Sequence, residues 1–234
     1  MAISENLARV RERLAAAARR VGRQAEDIAL LAVSKTFPAE SILEAYEAGL
    51  RMFGESRVQE FAGKYGALRG LRDAEWHLIG HLQTNKAGKA AELFSAVESV
   101  DSVRLAEKLN SAAGLVGKKL DVLIEINVGG EAAKSGIAPE SPELERVLLA
   151  APQWQCLAIR GLMTVPPFTE DSQQARPFFR RIREIRERIV SRRLAAVSMD
   201  VLSMGMSHDF EVAIEEGSTC VRVGTAIFGE RQHR

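Results

Sequence analysis

The chain has 234 residues, of which 46% are hydrophobic and 27% charged, the ordinary composition of a water-soluble globular protein. Its 32 Lys and Arg against 31 Asp and Glu leave a net charge of +1, which argues against a nucleic-acid-binding protein, because such domains are usually clearly basic. Cys156 and Cys220 form no CxxC pair, so we expect neither a disulfide framework nor a metal site. Every apolar run is of strand length and the N-terminus is polar, so we expect no membrane span and no signal peptide. We therefore expect a cytoplasmic location.

The first predicted element is an amphipathic helix over about residues 5–21, followed by Gly22 as a stop signal. Its apolar residues recur at spacings of three and four, namely Leu7, Val10, Leu14, Ala17 and Val21. The run at residues 28–33 that follows is continuously apolar, which is typical of a strand buried on both faces.

Strands and helices then alternate to the end of the chain. The later predicted strands are residues 51–53, 75–79, 94–100, 120–126, 157–162, 197–202 and 218–223. The predicted helices between them are residues 38–49, 56–68, 85–92, 101–113, 141–150, 172–193 and 208–216. Eight strand–helix units in about 210 residues favour a single (β/α)8 barrel domain over residues 1–234. A doubly wound open sheet is the alternative, but no GxGxxG motif follows the first strand.

Lys35 follows the first predicted strand, and in such a barrel the carboxyl ends of the strands build the functional site. Burial lowers the pKa of an amine, and a neutral amine is the form that attacks an aldehyde. The alternative from position alone is a surface lysine whose aliphatic stem covers apolar surface.

Two short segments rich in small residues are expected after the last two strands, where barrels often bind phosphate. They are Ser203-Met-Gly-Met-Ser207 and Gly224-Thr225. Their backbone N–H groups and hydroxyls suit an anion, although Ser207 by itself is also a helix cap. Together with Lys35 on the first strand, they predict a ligand with an aldehyde at one end and a phosphate at the other.

Arg222 lies two residues before Gly224, so strand alternation places both on the same face. An arginine is always protonated, and a pyridine nitrogen that accepts from it stays unprotonated. The alternative is an ion pair between Arg222 and Glu125 or Glu55.

Other candidates are weaker. His77 lies within the third strand, while His81 lies just beyond it and is either a structural or a catalytic histidine. Lys134 is either a second amine for a cofactor or a solvated loop residue. Cys156 and Cys220 are interpreted as small core residues. The arginine-rich segment 176–193 is interpreted as a solvated face, with a contact to a partner or RNA as the alternative.

Seven segments spread over nearly the whole chain form a family pattern: AVSKT (32–36), FGESRVQE (53–60), WHLIGHLQTNK (76–86), KSG (134–136), GLM (161–163), SMGMS (203–207) and RVGTAIFG (222–229). Through these segments the sequence resembles the pyridoxal phosphate homeostasis protein family. The resemblance implies a single fold-type III barrel similar to the N-terminal domain of alanine racemase, with pyridoxal phosphate (PLP) held as a Schiff base on Lys35. It also implies phosphate contacts from Ser203, Gly224 and Thr225, and Arg222 near the pyridine nitrogen. This chain has Ser56 where the family usually has asparagine, which leaves the corresponding contact in doubt.

Three functions follow as hypotheses. The first is a PLP-binding homeostasis protein, with Lys35, Ser56, Ser203, Ser207, Arg222, Gly224 and Thr225 as cofactor-binding residues. It would buffer the cofactor or pass it to apo-enzymes without catalysis of its own. We expect it to be a monomer because no long exposed apolar stripe is evident.

The second hypothesis is a PLP-dependent amino-acid racemase, which needs a second acid/base. Neither tyrosine is placed at a strand end to supply it, since Tyr46 and Tyr65 both fall in predicted helices. The third, a cofactor-free Schiff-base aldolase, leaves Arg222 without a role. We favour the first.

Overall fold

The computed structural model describes residues 2–131 and 134–230. Its parallel strands close into a barrel in which each strand pairs with the next along the chain and the eighth pairs with the first. This confirms the predicted (β/α)8 barrel. The strands are β1 Ala29–Val33, β2 Met52–Glu55, β3 Glu75–Leu78, β4 Ala96–Val100, β5 Leu120–Glu125, β6 Leu157–Met163, β7 Val197–Met206 and β8 Cys220–Val223.

Helices cover the outside of the barrel. They are α1 Ile3–Arg20, α2 Ala39–Glu47, α3 Val58–Leu68, α4 Ala87–Leu93, α5 Val103–Leu115, α6 Pro142–Ala150, α7 Arg176–Ser191, α8 Phe210–Glu215 and α9 Thr225–Phe228. The first helix packs against α8 and α9, and the buried Asn6 amide donates to the carbonyl oxygen of Ile227 at 2.9 Å. No helix in the described part of the chain is both long and apolar enough to cross a bilayer.

Strand alternation divides the apolar side chains between two cores. On β1, Leu31 and Val33 cluster with Cys220 of β8 in the interior of the barrel. Between them, Ala32 joins the larger core that lies between the strands and the helices, together with Phe53 of β2. Side chains two residues apart therefore share a face, as the period of an extended strand requires.

The seventh strand is longer than predicted. It runs to Met206 rather than ending at residue 202, and Ser203 pairs in register with Met163 of β6. The extension depends on Gly205, whose φ is +92° and whose Cβ, if present, would lie 2.5 Å from the Cβ of Ala213. Only glycine allows this backbone to approach α8 so closely.

The arginines of α7 form pairs within the molecule. Glu216, which is 4% exposed, accepts contacts from Arg176, Arg180 and Arg183 at 2.9, 3.2 and 3.1 Å. Arg192 pairs with Glu145 of α6 at 2.6 Å. Much of the basic charge in this helix is therefore used to join it to its neighbours.

Candidate functional site

A turn carries Lys35 away from the end of β1. The N–H of Phe37 donates to the carbonyl oxygen of Ser34 at 3.1 Å, and Lys35 lies half-buried between them. Thr36 has a φ of +69°, a conformation that β-branched residues rarely adopt. Its N–H donates to Glu60 Oε1 at 2.6 Å, and this contact from α3 helps to hold the turn.

A buried ion pair lies beneath this turn. Glu55 ends β2 on the face that is turned to the helices, and its Oε1 accepts from Lys64 Nζ at 2.8 Å and from Ser34 Oγ at 2.7 Å. Lys64 also donates to the carbonyl oxygens of Ser34 and Phe37, at 3.1 and 3.0 Å. Burial raises the pKa of Glu55, and the charge of Lys64 opposes that rise.

The loops after β7 and β8 meet at Ser207. Its Oγ accepts from the N–H of Gly224 at 3.2 Å and from the N–H of Ala226 at 3.4 Å. Thr225, the first residue of α9, is exposed beside them. A Cβ on Gly224 would lie 3.3 Å from the carbonyl oxygen of Val33, so this group of donors lies next to the end of β1.

Ser203 does not belong to that loop, contrary to the prediction. It lies within β7, is fully buried, and donates from Oγ to Glu98 Oε2 at 2.6 Å. The same oxygen accepts from Arg222 Nη1 at 2.7 Å. Its contacts with Glu98 and Arg222 place the Ser203 hydroxyl in the interior of the barrel.

Arg222 is 3% exposed in the interior of the barrel. Its second terminal nitrogen, Nη2, donates to the carbonyl oxygen of Thr164 at 2.7 Å. In the part of the chain that the structure describes, no ion pair joins Arg222 to Glu55 or Glu125, so the alternative interpretation of Arg222 as the ion-pair partner of one of these carboxylates is wrong. Two fixed hydrogen bonds hold the guanidinium in place.

Glu98 is the charged residue that the sequence analysis missed. It lies on β4, is 1% exposed, and its Oε1 is 2.8 Å from His77 Nδ1. Burial opposes its charge, but His77, Arg222 and Ser203 together outweigh that effect and lower the pKa of the Glu98 carboxyl. Burial likewise opposes a charge on His77, yet the carboxylates of Glu75 and Glu98 raise the pKa of His77 to about 9.

A cavity of about 310 Å³ opens at the carboxyl ends of β3 and β5, lined in part by His81, Glu125 and Lys134. His81 Nδ1 lies 3.3 Å from Asp101 Oδ2, and Lys134 Nζ donates to Glu131 Oε1 at 3.0 Å. Glu125 Oε2 is buried without a hydrogen-bond partner, and burial raises the pKa of this carboxyl. The wall of this cavity is therefore both polar and charged.

Ser56 follows β2 and is half-buried. A Cβ on Gly80 would lie 2.3 Å from the carbonyl oxygen of Ser56, so the backbones after β2 and β3 touch at this point.

No group of three or more His, Cys, Asp or Glu side chains among residues 2–131 and 134–230 is arranged to hold a metal ion.

The donor set at this end of the barrel fits PLP. An aldehyde, a phosphate and a pyridine nitrogen require an amine, hydrogen-bond donors and a fixed cation or donor. This end of the barrel has a half-buried amine, two hydroxyls, a fixed guanidinium and two backbone N–H groups that donate to Ser207 Oγ in this structure. The residues that provide them are Lys35, Ser207, Arg222, Gly224, Thr225 and Ala226.

The chain matches the family described as alanine racemase, N-terminal domain, over residues 5–232. It is 48% identical to the pyridoxal phosphate homeostasis protein of Aquifex aeolicus, over 98% of each chain. It is 43% identical to the protein of the same name from Pseudomonas aeruginosa, over 99% of this chain and 96% of that one.

Solved structures show the same relationship. PipY of Synechococcus elongatus PCC7942, solved with PLP bound, is 37% identical with a TM-score of 0.83, covering 97% of this chain and 100% of that chain. An alanine racemase of Clostridium difficile is 16% identical with a TM-score of 0.69, covering 93% of this chain and 56% of that chain. The racemase shares the barrel and extends beyond it.

Proposed function

We propose that this chain, which belongs to the pyridoxal phosphate homeostasis protein family, binds PLP covalently at Lys35 and buffers or delivers it inside the cell. One observation carries the proposal. The turn with Lys35 and the donors of Ser207 and Gly224 lie at the same end of neighbouring strands, with Arg222 fixed behind them. PLP supplies the aldehyde, the phosphate and the pyridine ring that this arrangement suits.

Covalent attachment follows from amine chemistry. PLP would supply an aldehyde carbon, and the Nζ of Lys35 would bond to it as C=N in place of C=O, with release of water. We propose that Ser207, Thr225 and the N–H groups near Gly224 hold the phosphate, and that Ser56 borders the ring in place of the family's asparagine. Ser203, being buried against Glu98, acts through Arg222 rather than on the phosphate.

We also propose that the chain does not turn over amino acids. A permanently protonated Arg222 keeps the pyridine nitrogen unprotonated and makes the ring a weak electron sink. A racemase further needs a second acid/base, whereas Tyr46 lies on α2 against Asp73 and Tyr65 lies on α3 against Phe61.

Residues 1–234 would act as one PLP-binding unit, as a cytoplasmic monomer that gives the cofactor to apo-enzymes. The described residues expose few large apolar side chains, and these come from separate segments of the chain, which supports a monomer. They are Val21, Leu115, Val116, Leu149, Phe168 and Val190.

The proposal is tested by titrating the protein with PLP and following the visible absorbance of the bound cofactor. Wild type and Lys134→Ala should both develop the band of the covalent complex, and Lys35→Ala should not. Incubation with amino acids in D₂O should then give no enzyme-like exchange of the α-proton. Rapid exchange would favour the racemase, and an absent band in wild type would overturn PLP binding.

A further inference from the structure

A continuous chain of polar side chains crosses the interior of the barrel. His77 Nδ1 on β3 lies 2.8 Å from Glu98 on β4, and Glu98 accepts from Ser203 on β7 at 2.6 Å. Ser203 in turn accepts from Arg222 on β8 at 2.7 Å. Since β4 and β7 are not neighbours in the barrel, the contact between Glu98 and Ser203 spans its interior.

The direction of these hydrogen bonds is fixed by chemistry. An ionised carboxylate only accepts, so Ser203 must give its single hydroxyl proton to Glu98. The lone pairs of Ser203 Oγ are then available to Arg222, which only donates. Without the carboxylate, the serine proton would be free to rotate toward Arg222 and oppose that contact.

His77 supplies the opposite charge at the far end of the chain. It lines a cavity of about 210 Å³ at the amino-terminal ends of the strands. The other titratable or charged groups that line this cavity are Glu75, Glu98, Asp121, Arg160 and Cys220. Asp121 and Arg160 pair with each other at 3.0 Å, so His77 is the cation that faces Glu98 from this side.

We propose that Glu98 is a positioning residue for the cofactor site: through Ser203 it fixes the guanidinium of Arg222 that would donate to the pyridine nitrogen, with His77 as its counter-charge. The inference rests on the proposed function. It goes beyond that function by assigning a role to a buried carboxylate that reaches Arg222 through Ser203.

A merely structural role for Glu98 makes a different prediction. A buried carboxylate that only stabilises the barrel would, when replaced, lower stability without changing how PLP is held. The matched control is Ser218→Ala, since Ser218 is also fully buried and its hydroxyl donates to backbone carbonyls, those of Leu202, Met204 and Cys220.

The experiment compares Glu98→Met, Glu98→Gln, Ser203→Ala and Ser218→Ala. Two quantities are measured on the PLP complex: the dissociation constant for PLP, and the pH at which the visible absorbance band of the bound cofactor is half changed. The second readout is the NMR signal of the Arg222 guanidinium in the cofactor-free protein. Glu98→Met and Ser203→Ala should weaken binding about tenfold, shift the midpoint and move the Arg222 signal. Glu98→Gln keeps an acceptor for Ser203 and should restore binding to within about threefold of wild type. Ser218→Ala should resemble wild type in both readouts.

Wild-type affinity, midpoint and Arg222 signal in both Glu98→Met and Ser203→Ala would overturn the inference. If Glu98→Met does not fold, Ser203→Ala decides alone against Ser218→Ala. Failure of wild type itself to bind PLP would overturn the proposed function, while the Arg222 signal of the cofactor-free variants would still test the link from Glu98 to Arg222.

Discussion

The ammonium of Lys64 and the carboxylate of Glu55 form an ion pair at 2.8 Å, buried beneath the turn that carries Lys35. Lys64 also donates to two carbonyl oxygens of that turn, those of Ser34 and Phe37. Lys64 of α3 therefore pairs with the buried carboxylate of Glu55 and also holds the backbone of the turn that carries Lys35. The geometry of Lys35 depends on a residue that does not belong to the site.

Replacing Lys64 with methionine should disturb both stability and cofactor attachment. The change leaves Glu55 buried without its cation, which should cost about 3 kcal/mol of unfolding free energy in urea titrations. It also releases the turn, so PLP should attach to Lys35 more slowly in stopped-flow absorbance. Lys89→Met removes an exposed lysine and is the control. An attachment rate equal to wild type would show that Lys64 does not hold the turn.

Long-range pairs of this kind are where the sequence was least informative. Periodicity and alternation predicted the barrel, and the strand-end position of Lys35 suggested an amine at its mouth. Nothing local to Lys64 or Ser203 reveals its partner. Glu55, the partner of Lys64, ends β2, and Glu98, the partner of Ser203, lies on β4, so both contacts form only when the barrel closes. Glu98 did leave a signal, since it is the charged residue within the predicted strand 94–100.

The limits of the strands were also hard to predict. Residues 203–206 contain a serine and a glycine, which favour a loop in sequence terms. In the folded barrel, pairing with β6 and the close approach of α8 at Gly205 extend β7 through them. These tertiary contacts outweigh the local preference for a loop. Ser203 therefore lies in the interior of the barrel and not in the predicted phosphate loop.

Stability should fall at alkaline pH because of His77. Its pKa is raised to about 9 in the folded protein, above the value of about 6.5 in the unfolded chain, so the stabilisation is complete below pH 6.5 and is lost as the pH rises through about 9. His77→Gln should remove this pH dependence, which amounts to about 3 kcal/mol of unfolding free energy in urea titrations across this range. His81→Gln, at a half-exposed histidine, should keep it. An unchanged slope in His77→Gln would contradict the charged pair with Glu98.

Gly205→Ala should damage the barrel near the phosphate loops. The new Cβ would meet Ala213 at 2.5 Å and Phe210 at 2.9 Å, in a backbone with φ of +92°. We expect a loss of about 3 kcal/mol or more in unfolding free energy and weaker PLP binding. Gly66→Ala, on the exposed face of α3 with nothing within 4 Å, should instead gain up to about 1 kcal/mol. Equal stability of the two variants would contradict the close packing at Gly205.

Ser207→Ala should weaken PLP binding through the phosphate alone. The variant loses the hydroxyl that joins the loops after β7 and β8, so affinity for PLP should fall about tenfold. Affinity for pyridoxal, which has no phosphate, should change little. Fluorescence or absorbance titrations with the two compounds measure both values. An equal loss for both would place Ser207 outside the phosphate site.

The central claim, covalent PLP on Lys35, is tested most directly by reduction and peptide mapping. The protein is incubated with PLP, reduced with borohydride, digested and analysed by mass spectrometry. We expect a phosphopyridoxyl group on the peptide that contains Lys35, and its loss in Lys35→Ala. A wild-type protein without the adduct, or with the adduct on Lys134 alone, would contradict it.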